Sequence, residues 1–145
     1  MSDGNSVNDS CLLLMAHGSK NANWLLPFQQ LANGLKQEVG EERVRLCFME
    51  LASPSLEEVA RQLQREGTKY ARLLPLFLAS GTHLCYDVPA QLDELKKELP
   101  DLAIDLLPPI GENPQFAELL RGLVKQYIHP NGDVDPSQVN VPTRG

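Results

Sequence analysis

Short apolar runs alternate with longer amphipathic stretches along the chain. CLLLMA (11–16) is apolar throughout and has the length of a strand buried on both faces. After it, Trp24, Phe28, Leu31, Leu35 and Val39 recur at spacings of three and four, which predicts a helix with these side chains inward. VRLCFMEL (44–51) predicts a second strand. Ser53-Pro54-Ser55 opens the next helix: Ser53 suits the cap, Pro54 the first turn, and Ser55 with Glu58 has the spacing of a capping box. Leu56, Val59, Ala60 and Leu63 form its apolar face, and Gly67 ends it.

YARLLPLFLA (70–79) predicts a third strand with Pro75 as an irregularity. Asp87 is placed to cap a helix that turns Val88, Leu92, Leu95 and Leu99 inward. LAIDLLPPI (102–110) predicts a fourth strand. Asn113-Pro114 starts a last helix whose Phe116, Leu119, Leu120, Leu123, Val124 and Tyr127 are expected to face the core. Residues 130–145 (PNGDVDPSQVNVPTRG) have no period and many turn formers, so they are expected to be a flexible tail, as are residues 1–9. Residues 10–129 then form one α/β domain. Its four strand–helix units imply a four-stranded parallel sheet with right-handed crossovers, flanked by helices.

Composition narrows the function classes. A chain of 145 residues, 42% hydrophobic and 22% charged, is large enough to bury a core as one globular domain. No apolar run approaches the roughly 18–20 residues of a membrane span. The polar opening MSDGNSVNDS lacks the pattern of a signal peptide, and a cytoplasmic protein is expected. The net charge of −6, with no Lys/Arg cluster, argues against nucleic-acid binding. Cys11, Cys47 and Cys85 are odd in number and contain no CxxC, which argues against a disulfide framework or a structural zinc site. Cys11 and Cys47 lie in apolar runs and read as core residues.

In parallel α/β sheets, ligands bind beyond the carboxyl ends of the strands, near the point where strand order reverses. Two of the three histidines fall there. His17 follows the first strand in Ala16-His17-Gly18-Ser19, and His83 follows the third in Ser80-Gly81-Thr82-His83. With strand order 2-1-3-4 these two strands are neighbours, roughly 4.8 Å apart, and their loops open into one crevice. Two imidazoles there can share a metal ion or divide base and ligand roles, or each can be an ordinary loop histidine. His129 reads as a solvated helix-end residue. Glu50, at the exit of the second strand, can serve as metal ligand, proton acceptor or orienter of a histidine, or can favour the adjacent helix N-terminus.

AHGS after the first strand, FMEL-x-SP after the second and PLFLASGTH-xxx-DVP after the third resemble the small class II tetrapyrrole chelatases. These are the sirohydrochlorin cobaltochelatases and ferrochelatases of cobalamin and siroheme synthesis. The ordered match runs from about residue 11 to residue 128. The resemblance implies a chelatase-like domain, a homodimer, and His17 and His83 as ligands of the incoming metal, with His17 the proton acceptor. It implies that Leu78, Ala79, Ser80, Gly81, Thr82 and His83 form the loop against the tetrapyrrole, and it places Glu50 and Ser53 near the substrate. Family members often carry glutamate before the proline of the second motif. Here that residue is Ser53, and Glu50 is the nearest carboxylate.

The chemistry suits these residue types. Insertion requires the metal to shed water and two pyrrole protons to leave. Neutral imidazole is a borderline ligand suited to Co²⁺, Fe²⁺ or Ni²⁺, and one poised near neutral pH can accept a proton. The divalent metal is then a substrate, with no permanently bound cofactor. A polycarboxylate tetrapyrrole needs local attraction in an acidic protein, for which Lys20 and helix N-termini are candidates. Leu78, Ala79, Leu84 and Tyr86 are candidates to cover the ring, and Cys85 is either a soft accessory ligand or a bystander. The resemblance leaves one alternative open: a carrier that binds tetrapyrrole or metal without catalysing insertion. A histidine phosphatase needs an arginine beside its histidine, where this chain has Ala16.

Overall fold

The computed structural model describes residues 10–129. The flexible segments expected at 1–9 and 130–145 lie outside them. The chain falls into two compact units, one running to Gly111 and one starting at Glu112. The first holds β1 (Ser10–Ala16), α1 (Ala22–Val39), β2 (Val44–Phe48), α2 (Leu56–Arg65), β3 (Tyr70–Pro75), a π-helical turn (His83–Asp87), α3 (Val88–Glu98) and β4 (Ala103–Leu106). The second contains α4 (Pro114–Ile128). Among the described residues, no helix is long and apolar enough to cross a membrane.

The four strands form a parallel sheet, as the alternating pattern predicts, and their order is β2-β1-β3-β4. Register pairs Leu14 of β1 with Leu46 of β2 and with Leu74 of β3. Alternation along the strands then divides the core into two layers. Cys11, Leu13, Met15, Cys47, Ala71 and Leu73 point to one face, where Leu56, Val59, Ala60 and Leu63 of α2 and Val88 and Leu95 of α3 meet them. Leu12, Leu14, Val44, Leu46 and Leu74 point to the other, against Ala32 and Leu35 of α1. Burying each large apolar side chain contributes about 1.5–3 kcal/mol, so both layers hold the sheet in register. Burial also pushes the Cys11 thiol up to about 11 and the Cys47 thiol up to about 12, so both stay protonated as core residues.

Several boundaries and faces differ from the sequence pattern. β2 stops at Phe48 rather than 51, because Leu51 adopts φ 63° and the chain turns back. β3 stops at Pro75 rather than 79, since proline has no N–H to continue a ladder, and β4 gives way before Pro108-Pro109. Ser53 is not the cap of α2. Ser55 is, and it forms a complete capping box with Glu58. Along α1 the contact line passes through the small Ala32, which lets the helix approach closely, while Trp24, Leu31 and Val39 are exposed. No residue of α4 is buried: Leu119, Leu120, Leu123, Val124 and Tyr127 are exposed, and Phe116 only partly covered. The described part of its unit holds a single α-helix, and one helix cannot bury its own apolar stripe.

Candidate active site at the carboxyl edge of the sheet

The backbone ladder between β1 and β2 continues past the strands. Met49 N–H donates to Ala16 O at 2.8 Å, and Glu50 N–H donates to His17 O at 3.0 Å. His17 and Glu50 are therefore neighbours at the carboxyl edge, both exposed. The next residue, Gly18, has φ 98°, and a Cβ there would lie 1.8 Å from Glu50 O. Only glycine fits, so the turn after His17 is set by its close approach to the β2 exit. Past Leu51, the chain passes the cis Ser53–Pro54 bond, and Phe48 N–H donates to Pro54 O at 2.8 Å. The Ser53 hydroxyl donates to the Glu58 carboxylate at 3.0 Å, and Ser55 N–H also donates to it at 3.0 Å. These bonds, that from Ser55 N–H first, hold the Glu58 carboxyl below the usual carboxylate range.

The His17 ring lies on Phe77, with ring centroids 3.9 Å apart and planes 21° from parallel. Phe77 is buried and fixed on its own side: Leu76 N–H donates to Met15 O at 2.8 Å, and Phe77 O accepts from Gly111 N–H at 3.0 Å. A Cβ on Gly111 would come within 1.7 Å of Leu78 O, so the end of β3 is wedged between β1 and the segment after β4. From there Leu78, Ala79, Ser80, Gly81, Thr82 and His83 form a continuous exposed stretch. Leu78 is 68% exposed and Tyr86 71%, a large apolar surface for a solvent-facing loop.

His83 begins the π-helical turn. Leu84 is buried and ties the turn to the core, while Cys85 N–H donates back to Gly81 O at 2.9 Å. Asp87 does not cap α3 through its side chain, contrary to the sequence expectation. Its Oδ2 instead lies 2.8 Å from His83 Nδ1. Cys85 is exposed and free. Among the described residues, no group of three or more His, Cys, Asp and Glu side chains converges as a metal cage, so Glu50 and Cys85 do not complete a three-donor set with the histidines. The donors at this edge are two imidazoles on neighbouring loops, each steadied by a different residue.

Sequence reasoning located both histidines but missed those two residues. Phe77 reads as one more apolar position in a strand, and nothing along the chain tells that its ring meets His17. Asp87 reads as a helix cap, although its separation of four from His83 is a helical-neighbour spacing that a search for paired side chains would find.

Comparison with known proteins identifies the family. A family model described as CbiX matches residues 11–127. The sirohydrochlorin cobaltochelatase of Sulfurisphaera tokodaii is 34% identical over 117 residues, which cover 81% of this chain and 92% of that protein. The sirohydrochlorin ferrochelatase of Priestia megaterium is 22% identical over 75% of this chain and 41% of its own length. Among solved structures, a cobalamin (vitamin B12) biosynthesis CbiX protein from Marinobacter aquaeolei VT8 superposes with a TM-score of 0.71 at 37% identity, covering 80% of this chain and 94% of that one.

Proposed function

The chain belongs to the CbiX family, and on that premise we propose that it inserts a divalent metal ion into sirohydrochlorin. The observation that carries this reading is that His17 and His83 lie, both exposed, in the segments that follow the adjacent parallel strands β1 and β3. The imidazoles hold the incoming metal, which is a substrate, and no resident cofactor takes part. Two protein donors are enough to draw water from the ion and leave positions open for the pyrrole nitrogens. Once the metal has passed to the pyrrole nitrogens, the freed lone pair of His17 accepts one of the two displaced pyrrole protons and water takes the other. The His17 ring plane is set by Phe77. Leu78 to His83 lie along the macrocycle, with Leu78 supplying apolar contact. Glu50 contacts the substrate beside His17. Ser53, whose hydroxyl is held by Glu58, shapes the neighbouring loop.

Cobalt is the metal and cobalamin synthesis the pathway, a reading supported by the 34% identical relative named as a cobaltochelatase. The three free cysteines suit a reducing compartment such as the cytoplasm. The exposed apolar stripe of α4 supports a homodimer, because a two-fold interface needs only one self-complementary surface.

The test is a visible-absorbance assay of sirohydrochlorin with Co²⁺, and anaerobically with Fe²⁺. The parent protein is expected to accelerate insertion, faster with Co²⁺. His17→Ala should lose about 10²–10⁴-fold of that acceleration, the usual worth of a positioned proton acceptor. His83→Ala should raise the KM for metal. Parental rates in both variants would remove the reading, and a shifted spectrum with no acceleration would identify a carrier instead.

A further inference from the structure

We infer that Asp87 is a positioning residue for His83, one that fixes its tautomer and so decides which ring nitrogen meets the metal. The inference rests on the proposed role of His83 as a ligand. An ionised carboxylate accepts hydrogen bonds and has no proton to give. At 2.8 Å from Asp87 Oδ2, His83 Nδ1 therefore carries the hydrogen and donates it. The neutral ring is then left with a bare lone pair at Nε2 alone, pointing away from Asp87. Free imidazole has no such constraint and distributes its proton over both nitrogens.

Three features of the turn make this a built arrangement. Val88 N–H donates to His83 O in the wide winding of a π-helix, and such turns cluster at functional sites. The turn cannot swing, because Leu84 and Val88 are buried on either side of the pair. Finally, Asp87 occupies the N-cap position of α3, where an aspartate ordinarily accepts from the first-turn N–H groups, yet it makes no side-chain cap bond. Pro89 in that first turn lacks an N–H to be capped. The carboxylate is spared from the helix and given to the histidine. Both side chains remain about half exposed, at 49% and 53%, so this surface pair adds little to stability and its effect falls on the imidazole.

The full chain with ¹⁵N-labelled histidine tests this, using long-range ¹H–¹⁵N spectra to read the tautomer, Co²⁺ titration to read affinity, and the insertion assay to separate KM from kcat. Asp87 is exposed and uncapping, so its variants are expected to fold, with circular dichroism as the check. In the parent, His83 should show the Nδ1–H tautomer. Asp87→Ala should give a mixture with Nε2–H, about 10–100-fold weaker Co²⁺ binding and a raised KM for metal. Asp87→Asn keeps an oxygen that accepts from Nδ1–H and should restore most of the parental tautomer and affinity. An unaltered tautomer and affinity in Asp87→Ala, beside a damaged His83→Ala, would overturn the role of Asp87 alone. Asp87→Asn as damaging as His83→Ala would make Asp87 a direct ligand and overturn positioning. His83→Ala with parental affinity and rate would instead overturn the ligand reading of His83 on which the inference stands.

Discussion

At the scale of single residues, the site depends on a glycine as much as on its histidines. Gly18 combines φ 98° with a virtual Cβ 1.8 Å from Glu50 O, so an alanine there must move the backbone of one loop or the other. Gly18→Ala is expected to cost at least about 1–3 kcal/mol of strain and to lower the insertion rate by displacing His17. Gly34, inside α1 with nothing near its virtual Cβ, is the contrast: Gly34→Ala should stabilise by about 0.5–1 kcal/mol and leave the rate unchanged. Urea denaturation and initial rates on both variants check the pair. His17 and His83 were legible in the sequence because strand-end histidines beside glycine break the surrounding apolar pattern. Phe77 and Asp87 were not, because each fits a bland local role so well that only three-dimensional contact shows the other one.

Among the secondary-structure elements, the alternation of short apolar runs with amphipathic stretches is enough to read four parallel strands, while their order is supplied by the structure. It could not say which stripe of a helix meets the sheet. In α1 that was settled by Ala32, a residue too small to stand out in a hydrophobic pattern, and the larger Trp24 and Leu31 stay outside. The tie between β2 and α2 has a measurable signature. Arg45 hydrogen-bonds the Glu66 carboxylate, and this bond foremost holds that carboxyl below the usual range. Since the folded value is depressed, the stabilisation is present above the unfolded value of about 4.3 and is lost as pH falls through the folded one. Glu66 keeps 35% of its side chain exposed, so solvent screening holds the effect below about 1 kcal/mol. Urea midpoints should therefore separate the parent from Glu66→Gln at pH 7, with the gap narrowing as falling pH protonates Glu66. A gap independent of pH would mean the tie is not ionic.

For the molecule as a whole, the apolar stripe of α4 bears on the proposed dimer. Exposed stripes of this kind mark interaction surfaces, and here the proposed occupant is a second copy. Sedimentation equilibrium is expected to give the mass of two chains, and Leu120→Asp with Val124→Asp to give the mass of one. A monomeric parent would refute the dimer while leaving the insertion chemistry untouched. The central position of β1 has a further consequence, for how the site comes into being. β1 bonds β2 on one edge and β3 on the other, so His17 and His83 sit in loops that follow two directly paired strands. Parallel partners are by necessity distant in sequence, and pairings of that kind generally close late and slowly. On the proposed reading, a fragment ending before β3 carries His17 without His83, and so only one of the two imidazoles offered to the metal.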